Sequence, residues 1–331
     1  MYDVITIGTA TQDVFLKSRD FKVLKDERFI TGQAECFALG AKIEVPDIFF
    51  TTGGGATNAA VTFARQGFKT AAICKVGKDA SGQGVINDLR KEKAGVKWVA
   101  RDVGEATAFS VILIAPNGER TILVHRGASE YLKESDLPDA RDFKAKWFYV
   151  APLGGENAHI FESALKIANK NGVKIAVNPS KTQIKMGLKE MRPLLSMVSI
   201  FILNQEEAAL LCDLPFKEEK LIFKTLDAAI DGIVVMTKGP KGVVISDGKN
   251  LWRAGTYPEK EVVDRTGAGD AFGSGFVAGL LLKNDIDYAI KIGSANATSK
   301  VEHMGAKTGL LYKKDLNNPR WKKLEIKKEQ L

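Results

Sequence analysis

The chain has 331 residues, 45% hydrophobic and 27% charged, with 48 basic against 40 acidic side chains and a formal net charge of +8. A chain this apolar is not intrinsically disordered, and its length suits about two units or one large α/β domain with an appendage. Seven basic residues against three acidic ones fall in residues 312–331, so half the charge excess lies in one terminal stretch. That stretch reads as a solvated terminal helix, the rest of the chain shows no stripe of Arg and aromatics, and nucleic acid is not the expected partner.

Cys36, Cys74 and Cys212 lie far apart with no C-x-x-C pair, which points to a reducing compartment and away from zinc sites or a disulfide framework. No basic leader precedes an apolar region after Met1, and the apolar run 193–205 falls short of the about 20 residues that a membrane-spanning helix needs. A soluble cytoplasmic protein is the expectation.

Short β-rich runs alternate with amphipathic segments. The pattern predicts a buried strand at residues 4–8, a helix at 57–67 stopped by glycine, and a strand at 70–76. It continues with strands at 147–150, 174–177, 200–203 and 233–236, and helices at 159–171 and 206–211. Strands separated by helices predict a doubly wound, mainly parallel α/β sheet with helices on both faces. Two regions break the rhythm. Residues 21–52 hold several short candidate strands, and residues 109–126 hold two β-rich runs around Pro116-Asn117-Gly118, a hairpin signal. Together they predict a small β-sheet lid, from segments of about 15–52 and 107–127, on a single domain spanning the chain.

Val262-Val263-Asp264-Arg265-Thr266-Gly267-Ala268-Gly269-Asp270 reads as a strand ending at Val263, a loop of small residues, and a helix beginning near Gly269 or Asp270. Amides at a helix N-terminus carry partial positive charge, so Gly267, Ala268 and Gly269 can form an anion hole for a phosphate. An aspartate there can accept the proton of a hydroxyl attacking phosphorus. The alternative is a glycine-rich turn with Asp270 as an ordinary N-cap. Upstream, Gly53-Gly54-Gly55-Ala56-Thr57-Asn58 offers bare backbone and an amide side chain to vicinal hydroxyls, or simply a glycine turn.

These residues resemble the ribokinase-like, or PfkB, family of carbohydrate kinases. Asp264 through Asp270 is similar to its D-x-T-x-A/G-x-G-D signature, and Gly53-Gly54 with Asn58 to its G-G-x-x-x-N. Asp13 matches its acidic residue after the first strand, Gly77-Lys78-Asp79 with Gly82 its G-x-D-x-x-G, Asn204-Gln205-Glu206-Glu207 its N-x-x-E, and Thr237 to Gly242 its T-x-G-x-x-G.

The resemblance implies a ribokinase-like fold and an ATP- and Mg²⁺-dependent kinase acting on a hydroxyl of a sugar, or else a nucleoside, with Asp270 as general base. It implies Asn204 and Glu207 around Mg²⁺ and the phosphates, and Thr237, Gly239, Gly242, Ser294 and Asn296 at the nucleotide. It further implies Asp13, Gly53, Gly54 and Asn58 at the acceptor, oxygens from Asp264 and the loop near Gly305 for a monovalent cation such as K⁺, and a homodimer formed through the lid. Two departures stand out: Gly55 occupies a position where some sugar-specific members have lysine, and the segment 13–53 is long for a ribokinase. A non-catalytic binding protein on the same fold would lack the base, whereas Asp270 is present.

Overall fold

Alternating side chains along a central strand point to opposite faces, so a strand apolar at every position needs cover on both. The computed structural model describes residues 1–29 and 32–331; residues 30 and 31, within the expected lid segment, lie outside the described residues. The chain begins β1 (Tyr2–Ile7), β2 (Thr11–Lys17), β3 (Lys22–Lys25), β4 (Gln33–Cys36), β5 (Asp47–Gly53), α1 (Gly55–Arg65), β6 (Thr70–Gly77), α2 (Ala80–Lys91), β7 (Gly95–Asp102), β8 (Ala108–Ile114) and β9 (Arg120–His125). It continues β10 (Ala145–Val150), α3 (Ile160–Lys170), β11 (Lys174–Val177), α4 (Lys181–Leu195), β12 (Ile200–Asn204), α5 (Gln205–Cys212), α6 (Glu219–Asp227) and β13 (Ile233–Thr237). β14 (Val243–Ser246), β15 (Asn250–Ala254), α7 (Ala268–Lys283), α8 (Ile286–Val301) and β16 (Ile326–Gln330) complete it.

One sheet runs β16-β15-β14-β13-β12-β11-β10-β1-β6-β7, parallel from β13 to β7 and antiparallel from β14 to β16. Ile5, Ile7, Phe148 and Val150 face a core shared with α3 to α6, while Val4, Trp147 and Tyr149 face one shared with α1, α7 and α8. The sheet is thus doubly wound, as the alternation predicts. Each large apolar side chain buried this way contributes roughly 1.5–3 kcal/mol. Among the described residues no helix is long and apolar enough to cross a membrane.

A second, four-stranded sheet has the order β5-β2-β8-β9. The predicted hairpin joins β8 to β9, and of Asn117 and Gly118 only the glycine takes a positive φ, 84°. β3 and β4 form a separate two-stranded ribbon. Asp79 anchors the root of the second sheet: it N-caps α2 through the Gly82 amide (2.7 Å) and accepts from both the amide and the hydroxyl of Thr107 (2.7 and 2.6 Å), just before β8.

Two sequence expectations are corrected. Residues 312–331 are not a helix: two short 3₁₀ turns, Lys313–Asn317 and Pro319–Trp321, lead into β16, which pairs antiparallel with β15. Pro319 interrupts helical continuation, and the edge of β15 offers unpaired backbone groups to a passing chain. Trp321 is buried against Tyr257 with ring centroids 5.1 Å apart, and the Lys328 ammonium lies 4.6 Å over the Trp252 ring, so the stretch is docked on the body of the protein. Val262 and Val263 form no strand either. They are half-exposed, and the Val263 and Asp264 amides both donate to the Val301 carbonyl (2.8 and 3.1 Å), tying this stretch to the end of α8 instead of to a sheet neighbour.

Candidate active site

The order of the central strands reverses at β1, with β6 on one side and β10 on the other, and such switch points open a crevice at the strands' carboxyl ends. The glycine loop entering α1 lies over that crevice. Gly54 has φ 95°, and a Cβ there would stand 2.5 Å from the Thr9 carbonyl oxygen. A Cβ on Gly53 would stand 2.2 Å from Asp13 Oδ2, and one on Gly55 2.7 Å from the Ala151 Cβ. A side chain at Gly55 would require the chain just after β10 to shift. Asp13, only 5% exposed, accepts from the Thr11 hydroxyl at 3.0 Å. Burial pushes its carboxyl above the usual range, opposed by hydrogen bonds from Ser110 and Thr11.

The first turn of α7 meets this loop from the other side. Gly267 is its N-cap with φ 76°, so Asp270 lies inside the first turn and is not the cap. The helix starts at Ala268, one or two residues earlier than the expected Gly269 or Asp270. Ala268 N–H donates back to the Arg265 carbonyl at 3.2 Å, while the Gly269 and Asp270 amides have no backbone acceptor among the described residues. Of the three amides the sequence pointed to, Gly267, Ala268 and Gly269, that of Ala268 is thus turned back into the loop, and the Asp270 amide joins the donors left without a backbone acceptor among the described residues. Asn58 Nδ2 donates to Asp270 Oδ2 at 2.9 Å, linking α1 to α7. Asn58 is 4% exposed, and its Oδ1 is buried without a partner among the described residues. Burial pushes the Asp270 carboxyl above the ordinary carboxylate range, and the bond from Asn58 only partly offsets this.

Beyond the α7 N-terminus a cavity of ≈ 370 Å³ opens at the carboxyl ends of β12 and β13, lined by Asn204, Thr237, Gly239, Gly242, Ala268 and Gly269. Asn204 and Glu207 form a reciprocal cap at the start of α5, the Glu207 amide donating to Asn204 Oδ1 (2.9 Å) and the Asn204 amide to Glu207 Oε2 (2.8 Å). Gly242 has φ 90°, and a Cβ there would meet the Ala254 carbonyl oxygen at 2.0 Å. Ser294 lines the cavity together with Ala297, Thr298 and Val301, one face of α8. Asn296 does not, which corrects its expected place beside adenine. Two positions along a helix is a turn of about 200°, so Asn296 points the other way. It is 0% exposed, donates to the Ala271 carbonyl (2.8 Å) and accepts from the Leu311 amide (2.9 Å). A larger depression of ≈ 500 Å³, lined by Trp147, Lys174, Ile200 and Ile233, sits near the opposite ends of the strands and holds none of the motif residues.

A family model for pfkB family carbohydrate kinases matches residues 24–312. A ribokinase of Haemophilus influenzae is 33% identical over 267 residues, covering 78% of this chain and 83% of that protein. The chain belongs to the PfkB family. It is a phosphotransferase with a hydroxyl group as acceptor, a sugar or nucleoside kinase. The ribokinase fold is equally clear: the Arabidopsis thaliana ribokinase complexed with ribose and ATP superposes with a TM-score of 0.77 at 20% identity, covering 97% of this chain and 99% of that one. The Methanocaldococcus jannaschii nucleoside kinase gives 0.77 at 21% identity, with 96% and 98% covered.

Some residues of this PfkB site escaped the sequence reading. Arg265 lines the cavity and makes no ion pair among the described residues, and its place inside the D-x-T signature was the available signal. Lys307 is buried beside the glycine loop that enters α1, its Nζ 2.6 Å from Thr52 Oγ1 and 2.9 Å from Asp88 Oδ2, with no sequence motif to announce it.

The metals implied by the family fare differently. Magnesium needs oxygen ligands, of which phosphates and waters supply most, and the carboxylate of Glu207 keeps one oxygen outside its capping bond. No cluster of three or more His, Cys, Asp or Glu exists among the described residues, so the phosphates would have to complete the shell. The monovalent-cation expectation at Asp264 does not fit. The Lys300 ammonium lies 2.5 Å from the Asp264 carbonyl oxygen and 3.3 Å from its Oδ2, occupying the oxygens an ion would need. Burial works against ionisation of Asp264, but the Lys300 charge and the Thr266 and Gly305 amides outweigh it and hold the carboxyl below the usual range.

Proposed function

We propose that the chain transfers the γ-phosphoryl group of ATP to the primary hydroxyl of a small sugar. The observation that carries this reading is the buried, unpartnered Oδ1 of Asn58, whose Nδ2 holds Asp270. A buried acceptor left empty costs about 1–3 kcal/mol unless a ligand donor fills it, and a sugar hydroxyl is such a donor. The same Asn would then hold the acceptor beside the base. Asp270 would take the proton from the attacking hydroxyl, and its raised affinity for a proton suits that task. The Gly269 and Asp270 amides would receive the charge on the phosphoryl oxygens, and Asp13 would bind a second hydroxyl beside Gly53 and Gly54. ATP would lie in the cavity lined by Thr237, Gly239, Gly242 and Ser294, with the Arg265 guanidinium near its phosphates. Asn204 and Glu207 would hold Mg²⁺ through water, and the ion would neutralise phosphate charge there.

In this reading residues 1–331 form one cytoplasmic kinase domain, and the segments around 15–52 and 107–127 are a lid that excludes water from the acceptor. Ile48, Phe49 and Phe50 on β5 and Ile122, Leu123 and Val124 on β9 are exposed, which supports a homodimer through the lid. Leu123→Asp should then turn a dimer into a monomer in sedimentation experiments.

The function is tested by ADP release with ATP and Mg²⁺ against pentoses, hexoses, sugar acids and nucleosides. The sugar reading expects acceptor-dependent release with one sugar class. A nucleoside as the best acceptor would replace the sugar assignment, and no acceptor-dependent release with any class would overturn the proposal. Asp13→Ala should raise the acceptor KM strongly.

A further inference from the structure

The loop that delivers the α7 N-terminus to the phosphoryl group begins at Asp264, and that residue is held by a lysine from the last turn of α8. Lys300 is 0% exposed. Its Nζ approaches three oxygens: the Asp264 carbonyl at 2.5 Å, Asp264 Oδ2 at 3.3 Å and the His303 carbonyl at 3.4 Å. An ammonium has three donors and no acceptor, so three oxygens exhaust it. The oxygens belong to two different segments. Asp264 leads into the anion hole, and its Oδ1 and Oδ2 also accept from the Thr266 amide (2.9 Å) and the Gly305 amide (3.0 Å). His303 opens the turn carrying Gly305 and Ala306, and a Cβ on Gly267 would stand 2.9 Å from the Ala306 Cβ. One buried positive charge thus gathers both loops behind the phosphoryl site. Arg120, on β9, adds a second cation 3.5 Å from Asp264 Oδ1, so two positive side chains already face this one carboxylate.

We propose that the Lys300 ammonium is a tethered substitute for a monovalent cation, shaping the Asp264–Gly267 loop without K⁺ and making phosphoryl transfer independent of monovalent ions. A free ion must be bound from solution and is lost when its concentration falls. A side chain fixed on α8 is present in every folded molecule, and removing it leaves a buried carboxylate and a carbonyl with a cation-sized gap between them.

The inference rests on the kinase reading for its activity arm, so the test includes a readout that does not. The full chain is placed in choline buffer free of K⁺, Na⁺ and NH₄⁺, and KCl, NaCl or NH₄Cl is exchanged in at constant ionic strength. Both the melting temperature and the rate of acceptor-dependent ADP release are followed. For the natural chain, neither should respond to the identity of the cation, with rates agreeing within about twofold. Saturable activation of tenfold or more by K⁺ over choline, or a saturable rise in melting temperature specific to K⁺, would overturn the proposal. Lys300→Ala should melt lower in choline, and K⁺ or NH₄⁺ should raise its melting temperature saturably and recover part of its rate. A Lys300→Ala chain that folds and turns over normally without any cation would also overturn it. Where that variant does not fold, Lys300→Gln, which keeps length and a donor, takes its place with the same two outcomes. Absence of turnover with every acceptor would remove the kinase reading alone, and the melting experiment would still decide the role of Lys300.

Discussion

Replacing Asp270 by asparagine separates chemistry from architecture more cleanly than any other change at this site. The asparagine carbonyl can still accept the 2.9 Å bond from Asn58 Nδ2, so the link between α1 and α7 survives. Asp270 is only partly buried, so water can reach the new amide group. What disappears is the proposed proton acceptor, and loss of a positioned general base costs about 10²–10⁴ in kcat, or ~2.7–5.4 kcal/mol of transition-state stabilisation. Stability should move in the opposite direction. The native state raises the Asp270 pKa above its unfolded value, so above both values the ionised form disfavours folding, and a neutral amide removes that penalty. At pH 7 the variant should therefore melt at the same temperature or higher, bind ATP with unchanged affinity in calorimetry, and turn over at least about 100-fold more slowly. A turnover within about threefold of the natural chain would refute the assignment of the base. A large fall in melting temperature would show that the carboxylate was structural.

The same raised proton affinity predicts that kcat/KM falls on acidification through a midpoint above 3.8, the ordinary aspartate value; an acid limb at or below it would exclude Asp270 as the titrating group. Gly242→Ala must place a Cβ 2.0 Å from the Ala254 carbonyl oxygen at φ 90°, so it should raise the KM for ATP and cost at least ~1–2 kcal/mol in chemical denaturation, with the acceptor KM unchanged. Truncation after Leu324 removes β16, uncovers β15 and deletes the 3.1 Å Arg253–Glu329 pair. The melting temperature should drop and light scattering should rise on heating, and an unchanged melting curve would show that the added strand is energetically idle.

The parallel sheet was legible because its strands are apolar at consecutive positions and glycines stop the intervening helices. The hairpin was legible for a similar local reason, a Pro-Asn-Gly turn between two β-branched runs. What local pattern could not show was pairing at a distance. Residues 326–330 are strand only because β15 lies beside them, and the charge run that suggested a helix is neutral as to which occurs. Val262-Val263 has strand composition but finds its partner at the end of a helix. At the site, glycines carried the signal, since Gly54, Gly242 and Gly267 sit at positive φ that other residues rarely adopt. Asn296 misled because a helix turns it away from the cavity its neighbour Ser294 faces. Lys300 and Lys307 were invisible because a lysine in sequence reads as surface, and only packing shows it buried between oxygens.

The Asn58–Asp270 bond spans 212 residues of sequence. The groups that would hold the acceptor and activate it therefore come together only after the early and late parts of the chain have docked on the common sheet. Contacts of such range form slowly compared with local helices and hairpins. On refolding from denaturant, helical signal should return first and catalytic competence last. Enzyme assay thus becomes a stricter gauge of complete folding than any measure of secondary structure, and variants that merely loosen the docking of α7 would register as inactive while still looking folded.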